Sequence, residues 1–233
     1  MAQKRSKRYQ AAVKLIDSNR AYTLVEAVKV LKQIAVTKAD QTVDIAFKLG
    51  VDPKQSDQMV RGTVSLPKGT GKNVRVLVFA KGAAADAAKA AGAEFVGFED
   101  LIKQVTDGFQ DFDVCVATPD AMSEVRKLGK VLGPRGLMPN PKIGTVTEDT
   151  AKAVKECKAG RVEFKMDKSA NLHVILGKFS FASDDILANG KAVIDAVVRS
   201  RPNTAKGRFI HNCALSSTFS PSIRLDVSAF LKS

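Results

Sequence analysis

The residue types that most often bind metals or perform covalent catalysis are scarce in this chain. Its three cysteines, Cys115, Cys157 and Cys213, are far apart without Cys-x-x-Cys spacing, and both histidines, His173 and His211, lie in apolar-rich stretches. This pattern favours neither a zinc site nor a disulfide framework. We therefore expect the cysteines to pack as small hydrophobic residues in a reducing compartment, and the histidines to be packed and hydrogen-bonded. We expect no metal and no cofactor.

The charge of the chain points to a polyanionic partner. Lys and Arg number 37 against 24 Asp and Glu, a formal net charge of +13. Such an excess bears on binding partners and not on fold, and nucleic acid is the polyanion that we expect. No apolar core follows the basic start MAQKRSKRYQ, so we expect a cytoplasmic protein with no membrane partner. A basic but inert surface is the alternative.

Polar side chains that could meet a nucleic acid alternate with apolar ones in the segment TVDIAFKLG. Val43, Ile45 and Phe47 alternate with polar residues that include Thr42 and Asp44. Period two predicts a half-buried strand, with Thr42 and Asp44 on its solvent face. We expect residues 60–66 to form the partner of this strand.

The pattern of the chain changes twice. After Pro67 the strands at 74–80 and 113–119 become continuous apolar runs, typical of a parallel sheet covered on both faces. At Gly160 the alternation returns, with a predicted hairpin formed by RVEFKM and NLHVIL, a helix from Ser183, and strands at 209–217 and 222–228. We predict an α+β discontinuous domain, an antiparallel sheet with helices formed by residues 1–69 and 160–233. An α/β parallel-sheet, Rossmann-like domain is inserted at 70–159.

Several helices position these strands. The capping-box pattern of Thr23 and Glu26 marks the start of one, and the basic segment 4–17 is expected to form another. In the insert, helices are predicted at 83–91, 99–107, 120–131 and 148–157, with a short strand at 94–97.

Charge is divided unevenly between the two predicted domains. Residues 1–69 hold 13 Lys and Arg against 6 Asp and Glu, and residues 160–233 hold 11 against 6. The insert holds 13 against 12. The discontinuous domain therefore carries nearly all of the net charge, which makes it the expected binding surface for the polyanion.

An enzyme that uses the insert as a nucleotide fold is a second hypothesis. The first insert strand leads into AKGAAADA, which lacks the glycine fingerprint of dinucleotide sites, and the P-loop pattern is incomplete around GTGK. Fold alone does not support this hypothesis. The loop LGPRGLMPNPK could present Arg135 and Lys142 to phosphates, although a rigid connecting loop is an equal interpretation.

Four segments resemble the family of the bacterial large-subunit ribosomal protein L-one, and the resemblance extends over nearly the whole chain. They are LGVDPKQSDQMVRGTVSLPKGTGK, AKAAGAEFVGFEDL, FDVCVATPDAM and LGKVLGPRGLMPNPKIGTV. The resemblance implies a non-catalytic ribosomal protein that binds large-subunit ribosomal RNA and forms the mobile stalk. It further implies contact with deacylated tRNA in the exit site, repression of its own mRNA, and a monomeric state away from the ribosome. A free-standing RNA-binding translational regulator is the alternative.

The same resemblance implies which residues contact RNA. They fall on the first strand region, on the predicted middle hairpin and on the last turn: Lys38, Thr42, Asp44, Asp167, Lys168, His173, Ser217, Thr218, Phe219 and Ser220. Lysines would meet phosphates, while hydroxyls and carboxylates can meet ribose 2′-hydroxyls and base edges. Arg135 and Lys142 are the expected tRNA or RNA contacts of the insert. Phe219-Ser220 stands where the family usually has Met-Gly, and Ala39 where it often has Phe.

Overall fold

The computed structural model describes residues 6–17, 19–34 and 37–230, apart from the side chains of Ser56, Lys142 and Ala229. It divides into two compact units. Unit 1 combines residues 1–71 with 162–233, and unit 2 is 72–161. With these boundaries the sequence gives a formal net charge of +11 to unit 1 and +2 to unit 2.

Unit 1 is built around a four-stranded antiparallel sheet. Its strands β1 (Thr42–Leu49), β7 (Asn171–Lys178), β8 (Ile210–Ser217) and β9 (Ile223–Arg224) lie in the order β7-β1-β8-β9. Val43, Ile45 and Phe47 of β1 are buried against helices α2 (Leu24–Gln33) and α8 (Ser183–Arg199). The opposite face of this sheet is open to solvent, as the period-two alternation predicts.

The helices of unit 1 begin where their caps predict. Thr23 accepts a hydrogen bond from the Glu26 amide at 3.3 Å, and the Glu26 carboxylate accepts one from the Thr23 amide at 3.0 Å. This reciprocal capping box confirms the predicted start of α2. Helix α1 (Lys7–Lys14) is shorter than expected and is capped by Ser6. Lys4 and Arg5, predicted as its basic head, lie outside the described residues.

Unit 2 is a small parallel α/β layer structure. Its sheet has the order β4-β3-β5, formed by β3 (Val76–Phe79), β4 (Phe95–Gly97) and β5 (Val114–Ala117). Helices α3 (Ala83–Ala90) and α7 (Thr150–Lys158) pack on one face, and α4 (Glu99–Thr106) packs on the other. All four residues of β3 are buried, as expected for a strand covered on both faces. The predicted fold class is confirmed.

Three predictions about strand pairing and helix continuity are wrong. Residues 60–66 do not pair with β1, because β2 (Arg61–Ser65) pairs with β6 (Arg161–Lys165) in a separate two-stranded sheet. The strands β6 and β7 therefore belong to different sheets and form no common hairpin ladder. The predicted helix 120–131 is broken into α5 (Met122–Val125), a 3-10 turn at Arg126–Leu128 and α6 (Gly129–Leu132).

The last predicted strand is also too long. Only Ile223–Arg224 pair with β8, and Val227–Phe230 form a 3-10 turn. No helix within the described part of the chain has the length and apolar character needed to cross a bilayer.

Candidate RNA-binding surface

The solvent face of the four-stranded sheet, here called the open face, is a ladder of polar rows. One row joins Thr42 to Lys178, the next joins Asp44 to Ile175 and Ser216, and the last joins Lys48 to Asn171 and Asn212. Residues paired across neighbouring strands share a face of the sheet, and a bulge in β7 between Ile175 and Gly177 lies between the first two rows. The open face thus places hydroxyl, amide, carboxylate and ammonium groups side by side over three strands.

The predicted RNA-binding residues separate into two clusters at opposite ends of the open face. Lys48 lies six positions after Thr42 along β1, a distance of about 20 Å at roughly 3.4 Å per residue. The first cluster lies at the Thr42 end, and its members are Lys38, Thr42, Ser217, Thr218, Phe219 and Ser220. Asp167 and Lys168 lie at the other end, in the turn before β7, while Asp44 and His173 lie between the clusters.

Hydrogen bonds between Thr42 and Thr218 join the start of β1 to the turn that follows β8. The Thr42 amide donates to Thr218 Oγ1 at 3.2 Å, and the Thr218 amide donates to the Thr42 carbonyl oxygen at 3.2 Å. Lys178 Nζ donates to Thr42 Oγ1 at 3.3 Å. The side chains of Lys38 and Thr218 are both exposed. Hydroxyl and ammonium groups are therefore available to a ligand beside a rigid strand end.

A buried glutamine holds this end together, and sequence reasoning missed it. Gln41 Oε1 accepts hydrogen bonds from Ser217 Oγ at 2.8 Å and from the Phe219 amide at 3.0 Å. Its Nε2 donates to Thr37 Oγ1 at 2.6 Å. Ser217 is itself buried, so its hydroxyl serves this network. No periodicity signal distinguishes a buried Gln next to a strand from a solvated one, which is why the sequence did not reveal Gln41.

Two of the three residues that depart from the family pattern, Phe219 and Ser220, are accommodated at the Thr42 end. The Phe219 side chain is 47% exposed, and the Arg8 guanidinium lies 5.1 Å from its ring centroid, a cation–π distance. Ser220 Oγ accepts from the Ser217 amide at 2.8 Å and donates to the Pro221 carbonyl oxygen at 3.0 Å. Ser220 therefore tightens the turn that carries Thr218.

Asp44 and His173 occupy the middle of the open face. Partial burial raises the pKa of Asp44 above its usual range, and nearby His173 partly offsets this rise. His173 projects from β7 into solvent, and within the described residues its ring has no hydrogen-bond partner. The expectation of a packed, hydrogen-bonded histidine is wrong for His173, because its position in β7 faces outward despite apolar neighbours in the sequence.

At the end of the open face opposite Thr42, the Asp167 carboxylate is hydrogen-bonded within the turn before β7. Its carboxylate accepts from the Ser169 amide at 2.8 Å, the Asn171 amide at 2.7 Å and Asn171 Nδ2 at 3.1 Å. These hydrogen bonds lower the pKa of Asp167, and the bond from the Asn171 amide has the largest effect. The turn presents the exposed Lys168. Asp167 thus shapes the surface, and Lys168 is the group free to meet a phosphate.

The insert carries the second predicted contact. Arg135 is exposed in the loop after α6, whose bend includes Gly136 in the left-handed region at φ 71°. The Leu137 amide donates to the Leu132 carbonyl oxygen at 3.1 Å, which holds the loop against the helix end. The side chain of Lys142, predicted alongside Arg135, lies outside the described part of the chain.

The three cysteines lie in the hydrophobic cores of the two units. Cys115, Cys157 and Cys213 are free and buried, as expected, and burial raises the pKa of each thiol. Among the described residues, no group of three or more His, Cys, Asp and Glu side chains is placed to hold a metal ion.

Comparison with known proteins gives one consistent family. Residues 31–221 match the model of the ribosomal protein L1p/L10e family. A large ribosomal subunit protein uL1 from Leifsonia xyli subsp. xyli is 56% identical, over 98% of this chain and 100% of its own length. Proteins of the same name from Thermobifida fusca (53% identical, 97% of this chain and 96% of the relative) and Lactiplantibacillus plantarum (52%, 97% and 99%) are similarly close.

Proposed function

The chain belongs to the ribosomal protein L1p/L10e family, and from this premise we propose that its open face binds a folded segment of large-subunit ribosomal RNA. One observation carries the proposal. The most charged unit of the molecule exposes a rigid sheet face whose rows combine ammonium groups with hydroxyls, amides and a carboxylate. Ammonium groups neutralise phosphates, while the neutral groups recognise ribose and base edges, a combination suited to RNA.

The same proposal gives the protein a structural role without catalysis. Bound through unit 1, it forms the stalk of the large subunit in the cytoplasm and leaves unit 2 free to meet a second RNA. We propose that the exposed Arg135, with Lys142, contacts deacylated tRNA in the exit site. Guanidinium groups suit this role because they bind phosphates in a bidentate way.

Repression of its own mRNA is the finer part of the proposal. An mRNA segment that mimics the ribosomal site would bind the same open face, so the two RNAs would compete. A free-standing translational regulator is the alternative. Sedimentation of the native protein with large subunits separates the two: a ribosomal protein co-sediments, whereas a free regulator stays in the supernatant.

The test of RNA binding is its salt dependence. If about six phosphates are neutralised, a tenfold rise in salt weakens binding by roughly four to five decades. The measurement is the Kd of the full chain for the large-subunit ribosomal RNA fragment at several salt concentrations, with a shuffled hairpin as the control RNA. A salt-independent Kd, or equal affinity for the shuffled hairpin, would contradict the proposal.

A further inference from the structure

We propose that a recess in the open face holds one unpaired nucleobase of the bound RNA, an inference that rests on the proposed function. The alanine recess, as we call it, has Ala46 and Ala214 as its floor and a volume of about 220 Å³. A cavity of about 150 Å³ accepts a benzene ring, so the alanine recess has room for an aromatic heterocycle. It lies between the two clusters of predicted RNA-binding residues.

The recess exists because two small residues are paired in the centre of a row of larger ones. Ala46 of β1 lies directly opposite Ala214 of β8. His173 is the neighbour of Ala46 on β7, and Arg224 is the neighbour of Ala214 on β9. Both flanking side chains are exposed. The row therefore has an apolar floor between an imidazole ring and a guanidinium group, and such planar groups stack on nucleobases.

The next row of the open face supplies hydrogen bonds. Asn212 Oδ1 accepts from the Cys213 amide at 3.1 Å, which leaves its Nδ2 as a donor without a partner in the described structure. Asn171 Nδ2 donates to Asp167 at 3.1 Å, which leaves its Oδ1 as an acceptor. Both amides line the recess, and each is oriented by its existing bond. A fixed donor and a fixed acceptor suit the mixed edge of a nucleobase.

A phosphate fits the recess less well than a base. Lys48, the ammonium of the lining, already donates to the Ser169 carbonyl oxygen. Asp44 lies two residues from Ala46 on the same face of β1, so its carboxylate would repel an anion. An apolar floor with amides at the rim favours a neutral, planar group. An RNA that reaches both clusters must pass over the recess, which brings an unpaired base within reach.

The experiment fills the alanine recess with a larger side chain and tests whether the removal of one RNA base then no longer changes the affinity. Ala214→Leu is compared with Ala90→Leu, which enlarges an exposed alanine at the end of α3 in unit 2. The Kd of each full-length protein is measured for the large-subunit ribosomal RNA fragment, both intact and with single abasic sites at its unpaired positions. We expect Ala214→Leu to weaken binding about tenfold to a hundredfold, the range of one stacked base, whereas Ala90→Leu should bind as wild type.

The decisive result is non-additivity. One abasic site should weaken binding by wild type and leave the affinity of Ala214→Leu unchanged, because the base and the recess act together. Asn212→Ala, which removes an exposed amide together with its hydrogen bond from the Cys213 amide, should show the same coupling to the same site. Wild-type affinity in both variants, or additive losses at every abasic site, would overturn the inference. If wild type itself does not prefer the fragment to a shuffled hairpin, the proposed function fails, a distinct result.

Discussion

At the scale of the residue, individual hydroxyl and amide groups at the Thr42 end form the candidate RNA-binding site. Thr218 Oγ1 accepts the Thr42 amide proton at 3.2 Å and donates only a long hydrogen bond, 3.5 Å, to the Thr42 carbonyl oxygen, which an RNA acceptor could replace. Gln41, buried beneath, fixes the backbone of the turn through the Phe219 amide. The exposed groups are therefore held in place before RNA arrives, which reduces the entropy cost of binding.

Thr218→Val removes the hydroxyl while keeping the shape of the side chain. We expect the affinity for the ribosomal RNA fragment to fall by about 1–3 kcal/mol, because a hydrogen bond buried against RNA is lost. Thr204→Val, in an exposed loop of the same unit, is the matched control and should bind as wild type. Equal affinities for wild type and Thr218→Val would remove Thr218 from the site.

For single residues, the sequence predicts which side chains face solvent better than it predicts what each side chain does. Alternation places Thr42 and Asp44 on the solvent side of β1, where the structure finds them half-buried. The sequence does not reveal that Asp167 is bound by its own turn, because three of its hydrogen bonds come from residues whose geometry depends on the folded turn. His173 was misjudged from its apolar neighbours, which lie on the opposite face of β7.

At the scale of the element, a buried asparagine on α8 joins three segments of unit 1. Asn189 Nδ2 donates to the carbonyl oxygens of Leu176, at 2.7 Å, and Gly69, at 3.0 Å. Its Oδ1 accepts from the Lys68 amide at 3.0 Å. Asn189 lies in the apolar stripe of the helix, and a polar residue at such a position was the signal that sequence reasoning could have used.

Asn189→Ala should lower the free energy of unfolding by about 2–4 kcal/mol, because it leaves buried backbone groups without partners. Lys191→Ala, an exposed change on the same helix, should alter that free energy by no more than about 0.5 kcal/mol. Urea unfolding followed by circular dichroism measures both. Equal stability of the two variants would show that the Asn189 hydrogen bonds contribute nothing net.

Periodicity predicted the elements themselves well and their pairing poorly. Residues 60–66 were correctly expected to form a strand, but alternation tells which face is buried and not which strand is the neighbour. The partner of β2 is β6, about a hundred residues away, and Arg61 pairs with Glu163 across them at 2.8 Å. The helix predicted at 120–131 is interrupted by the 3-10 turn at Arg126–Leu128, directly before Gly129, a residue type that weakens helices.

At the scale of the whole molecule, charge and family agree on the function. The net charge of +11 belongs to the unit that carries the open face, and the expected family is confirmed by the match over residues 31–221. Binding of large-subunit ribosomal RNA by unit 1 is thus favoured by two independent lines of reasoning. The contact with tRNA and the control of mRNA remain proposals built on this one.

The most direct test is a map of the RNA footprint on the protein. Backbone amide resonances of the full chain are followed by NMR while the large-subunit ribosomal RNA fragment is added. We predict the largest changes along β1, β7 and β8 and in the turn with Thr218, with α3 of unit 2 unchanged. Changes centred on α3 and the strands of unit 2, with the open face unaffected, would contradict the account.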